Sequence, residues 1–169
     1  MSTLLFIKRS LWLLFAVLVQ SLILNKINLF GYATPYVFIF FILTLKLGLS
    51  RNSLLLWGFF LGLAIDVFSD TLGINAAAST LLAFIQPSLV RFFVSYERHE
   101  DFYPSSKSMG TGLFIKYVVV GTFIFTTLYF LIRTFSLCNL LSLLLKISLS
   151  SIITVLMIIA IELSFRKKK

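Results

Sequence analysis

Asp66 and Asp70 stand four residues apart in an otherwise apolar run, a spacing that sets both carboxylates on one face of a helix. Carboxylates in apolar surroundings are costly, and they mark places where a charge is held by partners, relays a proton or ligates a metal. A pair with no further obvious ligands is short of what a bound cation requires. Polar structural contact is therefore the first reading of Asp66, and a proton or metal role the second. Further along the chain, Ser142, Lys146, Ser150 and Thr154 recur every four residues, with a looser counterpart in Thr122, Thr126, Tyr129 and Arg133. Both sets form polar stripes that avoid lipid and face other helices. Such stripes either tie helices together through hydroxyl groups or line a pocket for a small substrate, and the tie is the preferred reading.

Little else points to chemistry. Cys138 is the single cysteine and His99 the single histidine, which excludes a disulfide framework and argues against a histidine-rich metal site within one chain. His99 sits in Glu97-Arg98-His99-Glu100-Asp101, which reads as a solvated loop. No serine or cysteine nucleophile comes with a partner base, and no glycine loop for phosphate appears. The expectation is a protein with no catalytic, metal or cofactor site.

The elements that must position these residues follow from composition. Of 169 residues, 59% are hydrophobic and 12% charged, too apolar for a surface in water. Six spans of about 20 residues would occupy about 120, which leaves no room for a soluble catalytic domain of about 100 residues. The apolar runs predict one integral membrane domain over 1–169, an all-α polytopic bundle with six transmembrane helices near 11–25, 33–49, 53–70, 74–94, 112–133 and 137–165. The second run begins well for a helix, with Thr34 to cap it and Pro35 in its first turn. It is short, however: Pro35 to Leu49 as a helix covers about 22 Å of a hydrocarbon core about 30 Å thick. Pro87 should kink the fourth helix, and Ser95 to Thr111 is the only long polar stretch, a loop by composition.

Fifteen Lys and Arg against six Asp and Glu give a net charge of +9, which in a soluble protein would suggest nucleic acid. Twelve of the fifteen fall at the N-terminus, in the second and fourth loops and in the tail; only Lys26, Arg133 and Lys146 lie elsewhere. That asymmetry predicts both termini in the cytoplasm and removes the main argument for a nucleic-acid partner. The Arg166 to Lys169 tail should be drawn to anionic lipid by about 1 kcal/mol per residue. In this orientation Lys146 shares the outer half of the membrane with Asp66, so an ion pair of Lys146 with Asp66 or Asp70 is expected. Glu162 and Arg166, four apart, suit a surface ion pair. Gly58 and Gly62, beside Gly73 and the Ala76-Ala77-Ala78-Ser79 cluster with Ala83, predict a tight hairpin of the third and fourth helices.

Several segments carry a family resemblance: Leu24-Asn25, Gly31-Tyr32-Ala33-Thr34-Pro35, the stretch from Gly58 to Ala78 with Gly-Leu-x-x-Asp followed by Leu-Gly-x-x-Ala, and Pro87 with Arg91. Their order and spacing resemble the MreD family of rod shape-determining proteins over nearly the whole chain. The resemblance implies a non-enzymatic inner-membrane component of the bacterial elongation machinery. Its implied partner is MreC and, through it, MreB, RodA and a penicillin-binding transpeptidase of lateral peptidoglycan synthesis. It also implies a fold similar to the substrate-binding subunits of energy-coupling-factor (ECF) transporters. Candidate structural and partner contacts are Asn25, Gly31, Pro35, Gly58, Gly62, Asp66, Asp70, Gly73, Asn75, Pro87, Arg91 and Lys146. The rival reading is a small-molecule capture or transport subunit, with Asp66 and the polar stripes lining a pocket; an intramembrane enzyme ranks third.

Overall fold

The computed structural model describes residues 13–14, 16–21, 34–94, 102–134 and 140–167. Residues 16–21 are helical. The later elements are α1 (Ile39–Leu43), α2 (Arg51–Ser69), α3 (Ile74–Phe93), α4 (Ser106–Met109), α5 (Thr111–Arg133) and α6 (Leu140–Lys167), and no strand occurs among the described residues. Four of these helices, α2, α3, α5 and α6, are long and apolar enough to cross a membrane. Much of the first expected span, 11–25, lies outside the described residues.

α2 and α3 form the tight hairpin that the small residues predict. A Cβ added at Gly62 would meet the Asn75 carbonyl oxygen at 2.4 Å and the Ala76 backbone at 2.5 Å, and one at Gly58 would meet the Ser79 carbonyl oxygen at 2.8 Å. Only hydrogen fits at these crossings, so the two backbones touch where lipid supplies no hydrophobic drive. α3 then packs on α5 and α5 on α6. Between α5 and α6, Thr126 of the α5 polar stripe lies with its Oγ1 2.7 Å from the Oγ of Ser151, a residue beside the α6 stripe.

The stretch expected as a helix over 33–49 is different. Only α1, five residues long, is α-helical there, and the backbone on either side is not. Its run of aromatic and β-branched residues, Tyr36-Val37-Phe38-Ile39-Phe40-Phe41-Ile42, has weak helix propensity. Thr44 helps to end α1, its Oγ1 donating to the Phe40 carbonyl at 2.8 Å. This broken segment is nevertheless the centre of the core: Tyr36, Phe38, Ile39, Ile42, Leu43 and Leu45 are buried against Phe114, Tyr117, Val118 and Phe125. It runs from the level of Ser150 on α6, past Gly121 on α5, to Phe102 beside α4. A helix rises 1.5 Å per residue and extended backbone about 3.3 Å. Unwinding both ends therefore lets a run too short for a helical crossing span more of the bundle.

The polar stretch after α3 is tied down where it is described. Ser105 and Ser108 form a capping box for α4, and Glu162 near the end of α6 accepts from the Ser106 amide at 2.9 Å and its hydroxyl at 2.8 Å. The expected partner of Glu162 was Arg166, whose side chain lies outside the described residues. Leu47 N–H donates to the Phe102 carbonyl at 2.9 Å, joining the loop before α2 to the same end.

Candidate functional site

Two polar constructions hold the apolar bundle together, and both are assembled around groups that the sequence flags. The first centres on Asp66, 3% exposed near the end of α2. Asp70 adopts a left-handed conformation with φ 50° and stops that helix, and Gly73 with φ 75° turns the chain into α3. Gly73 has no side chain to cap the free amides of α3, and Asp66 does so from the preceding helix. Its Oδ2 accepts from Ala76 N–H at 2.8 Å; its Oδ1 accepts from Asn75 N–H at 3.1 Å, from Asn75 Nδ2 at 2.9 Å and from the Thr71 hydroxyl. Asn75 Nδ2 also donates to Thr71 Oγ1 at 3.2 Å.

A buried carboxylate is tolerated when donors replace its water, and a helix N-terminus favours negative charge there by about 0.3–1 kcal/mol. Asp66 thus clips the start of α3 to the end of α2. Each of its four hydrogen-bond partners donates a hydrogen, an arrangement suited to an anion. Among the described residues no group of three His, Cys, Asp or Glu side chains could hold a metal ion.

The second construction is the set of side chains that satisfies the broken segment. In an apolar interior each unpaired backbone group costs several kcal/mol, so non-helical backbone survives only where neighbours supply partners. Here they come from across the bundle. Ser150 Oγ accepts from Thr34 N–H at 3.3 Å and Thr154 Oγ1 from Tyr36 N–H at 3.0 Å. Gln20 Nε2 donates to the Pro35 carbonyl at 2.7 Å, Tyr117 Oη to the Leu43 carbonyl at 2.8 Å, and Gln86 Nε2 to the Leu45 carbonyl at 3.1 Å. The upper part of the α6 stripe is therefore a hydrogen-bonding rail for backbone.

The remaining candidates fall as follows. Pro35 is buried within the broken segment, Gly58 and Gly62 at the hairpin crossing, and Asn75 in the Asp66 clip. Pro87 lies inside α3, directly after the buried Gln86, and Arg91 is exposed in its last turn. Asn25 and Gly31 lie outside the described residues. The ion pair of Lys146 with Asp66 or Asp70 does not form. Asp66 is taken by the donors above, Asp70 is exposed, and Lys146 is half-buried on α6, one turn from Ser150. The reasoning from depth placed both groups at one height and ignored azimuth: α2 packs on α3, whereas α6 packs on α5. Gln20, Gln86, Tyr117 and Thr71 were missed as working residues, although an amide such as Gln20 or Gln86 inside an apolar run is a visible signal.

The outward faces are apolar. Phe59, Phe60, Val67, Phe68 and Phe84 are exposed on α2 and α3, and Val119, Phe123, Ile152 and Leu156 on α5 and α6. Between α5 and α6 lies an apolar recess of about 540 Å³. Of its lining hydroxyls, Ser151 is bonded to Thr126. The chain matches no known protein family, no characterised protein and no solved structure.

Proposed function

We propose that this chain is a non-enzymatic scaffold of the bacterial rod complex, an MreD-like protein of the inner membrane that docks MreC and, through it, MreB, RodA and a penicillin-binding transpeptidase. In this reading the chain crosses the membrane six times with both termini in the cytoplasm, the second crossing being the broken segment, in a fold like that of ECF substrate-binding subunits. The observation that carries the reading is the occupation of Asp66. The Gly-Leu-x-x-Asp and Leu-Gly-x-x-Ala elements that bear the resemblance coincide with the clip between α2 and α3. Their carboxylate is filled by intramolecular donors, a role in architecture and not in reaction. With Ser150 and Thr154 also holding backbone, the surface offered to other molecules is mainly apolar helix. Within lipid such surfaces bind other helices by packing and hydrogen bonds.

The test is co-expression with MreC and purification through a tag on this chain in mild detergent. Recovery of MreC, and its loss when the α2–α3 crossing is spread by Gly62→Leu in a variant that still inserts, is expected. Absence of MreC from the purified wild-type chain would refute the proposal.

A further inference from the structure

Arg133 ends α5 at the end of the bundle opposite Arg51, Arg91, Lys107 and Lys116. Its Nη1 donates to Tyr129 Oη at 3.1 Å, and its guanidinium carbon lies 5.9 Å from the centre of that ring. Tyr129 is 3% exposed, and its ring packs 4.8 Å from the ring of Tyr36, also 3% exposed. Tyr36 is fixed in turn, because Thr154 accepts its backbone N–H. Two phenol rings are thus packed side by side, and the guanidinium is held against one of them.

Among the described residues no carboxylate forms an ion pair with Arg133. The chain has six carboxylates. Asp66 is filled by the clip and Glu162 holds Ser106 at the opposite end. Glu97, Glu100 and Asp101 lie outside the described residues. Asp70 is exposed at the end of α2, which packs on α3. A second cation stands close in height. The Thr126–Ser151 bond fixes the register of antiparallel α5 and α6, and from it Arg133 lies about 10 Å and Lys146 about 8 Å along their helices. Apolar surface flanks the cluster: Leu131, Leu141 and Leu144 are 47%, 76% and 58% exposed. A guanidinium fork with an adjacent hydroxyl binds phosphate oxygens bidentately, and the flanking leucines suit acyl chains.

We infer that Arg133, with the hydroxyls of Tyr129 and Tyr36, forms a binding site for the headgroup phosphate of an anionic membrane phospholipid, whose chains lie along Leu131 and Leu144. Lys146 adds to the local positive field.

The test is retention of phosphatidylglycerol against phosphatidylcholine by the full chain purified in mild detergent, read by native mass spectrometry and thermal unfolding, with inorganic phosphate as a parallel arm. Wild type should retain phosphatidylglycerol and be stabilised by it. Arg133→Gln should weaken retention about tenfold, the scale of one lost charge-assisted contact. Tyr129→Phe, which removes one hydroxyl at constant charge, should weaken it severalfold. Lys116→Gln at the other end should leave it unchanged, and inorganic phosphate should not stabilise. Equal retention by Arg133→Gln and wild type would overturn the inference, as would an equal loss in Lys116→Gln, the mark of diffuse attraction. Stabilisation by inorganic phosphate that depends on Arg133 would also overturn it, by assigning the site to a soluble anion. Should Arg133→Gln fail to fold, an unchanged Tyr129→Phe would overturn it.

Discussion

Replacing Asp66 by Asn changes almost nothing in size and nearly everything in hydrogen bonding. The carboxylate accepts four hydrogen bonds, three at Oδ1 and one at Oδ2 from Ala76 N–H at 2.8 Å. An Asn in its best orientation keeps an oxygen at the first position and puts an NH2 group against the Ala76 N–H. That leaves two donors facing each other, and one buried amide unsatisfied costs about 1–3 kcal/mol. The three remaining bonds fall from charge-assisted to neutral strength, a loss of about 1 kcal/mol each. Against this, the desolvation of a buried charge is relieved, which offsets several kcal/mol. The net expectation is a destabilisation of about 2–4 kcal/mol, in the range measured when one partner of a buried polar network is removed. Reversible unfolding of the detergent-solubilised protein gives the number directly. A value within about 0.5 kcal/mol of wild type, the scale of a surface substitution, would refute the claim that the carboxylate is buried and holds α3.

Gly62→Ala should cost more than Gly58→Ala, because its Cβ meets backbone at 2.4–2.6 Å where the other meets its nearest atoms at 2.8 Å; about 1–3 kcal/mol from overpacking is expected for the former, by the same unfolding assay. Thr154→Val keeps shape and removes the acceptor for Tyr36 N–H, so it should destabilise by about 1–3 kcal/mol, whereas Thr80→Val, which loses only a bond back to its own helix, should change stability by less. Glu162→Ala removes the group that holds both the amide and the hydroxyl of Ser106; limited proteolysis around residues 102–110 should accelerate severalfold, while unfolding of the long helices is little affected.

The sequence reveals what depends on neighbours close along the chain. Apolar runs mark α2, α3, α5 and α6, and the Gly58-Gly62 pair with the alanine cluster marks the crossing, since those residues meet within one hairpin. The hydroxyl rail was legible as a stripe on α6, and its structural use followed from the cost of facing lipid. The fate of 33–49 was not legible. Its shortness was visible, but its partners lie 15, 41, 74 and 118 residues away at Gln20, Gln86, Tyr117 and Thr154. Helix over a run of this hydrophobicity is the default when such partners are unknown. The clip around Asp66 was half legible: the aspartate was singled out, but its expected partner Lys146 was chosen by depth, while Asn75 and the α3 amides stand only nine and ten residues ahead.

The central claim is that polar side chains of the bundle satisfy its own non-helical backbone. Hydrogen exchange across residues 34–49 of the membrane-embedded protein tests it most directly. The account predicts that the Thr34 and Tyr36 amides, which donate to the hydroxyl oxygens of Ser150 and Thr154, are protected to the level of the α3 and α5 interiors. Exchange there at the rate of an open loop would contradict it.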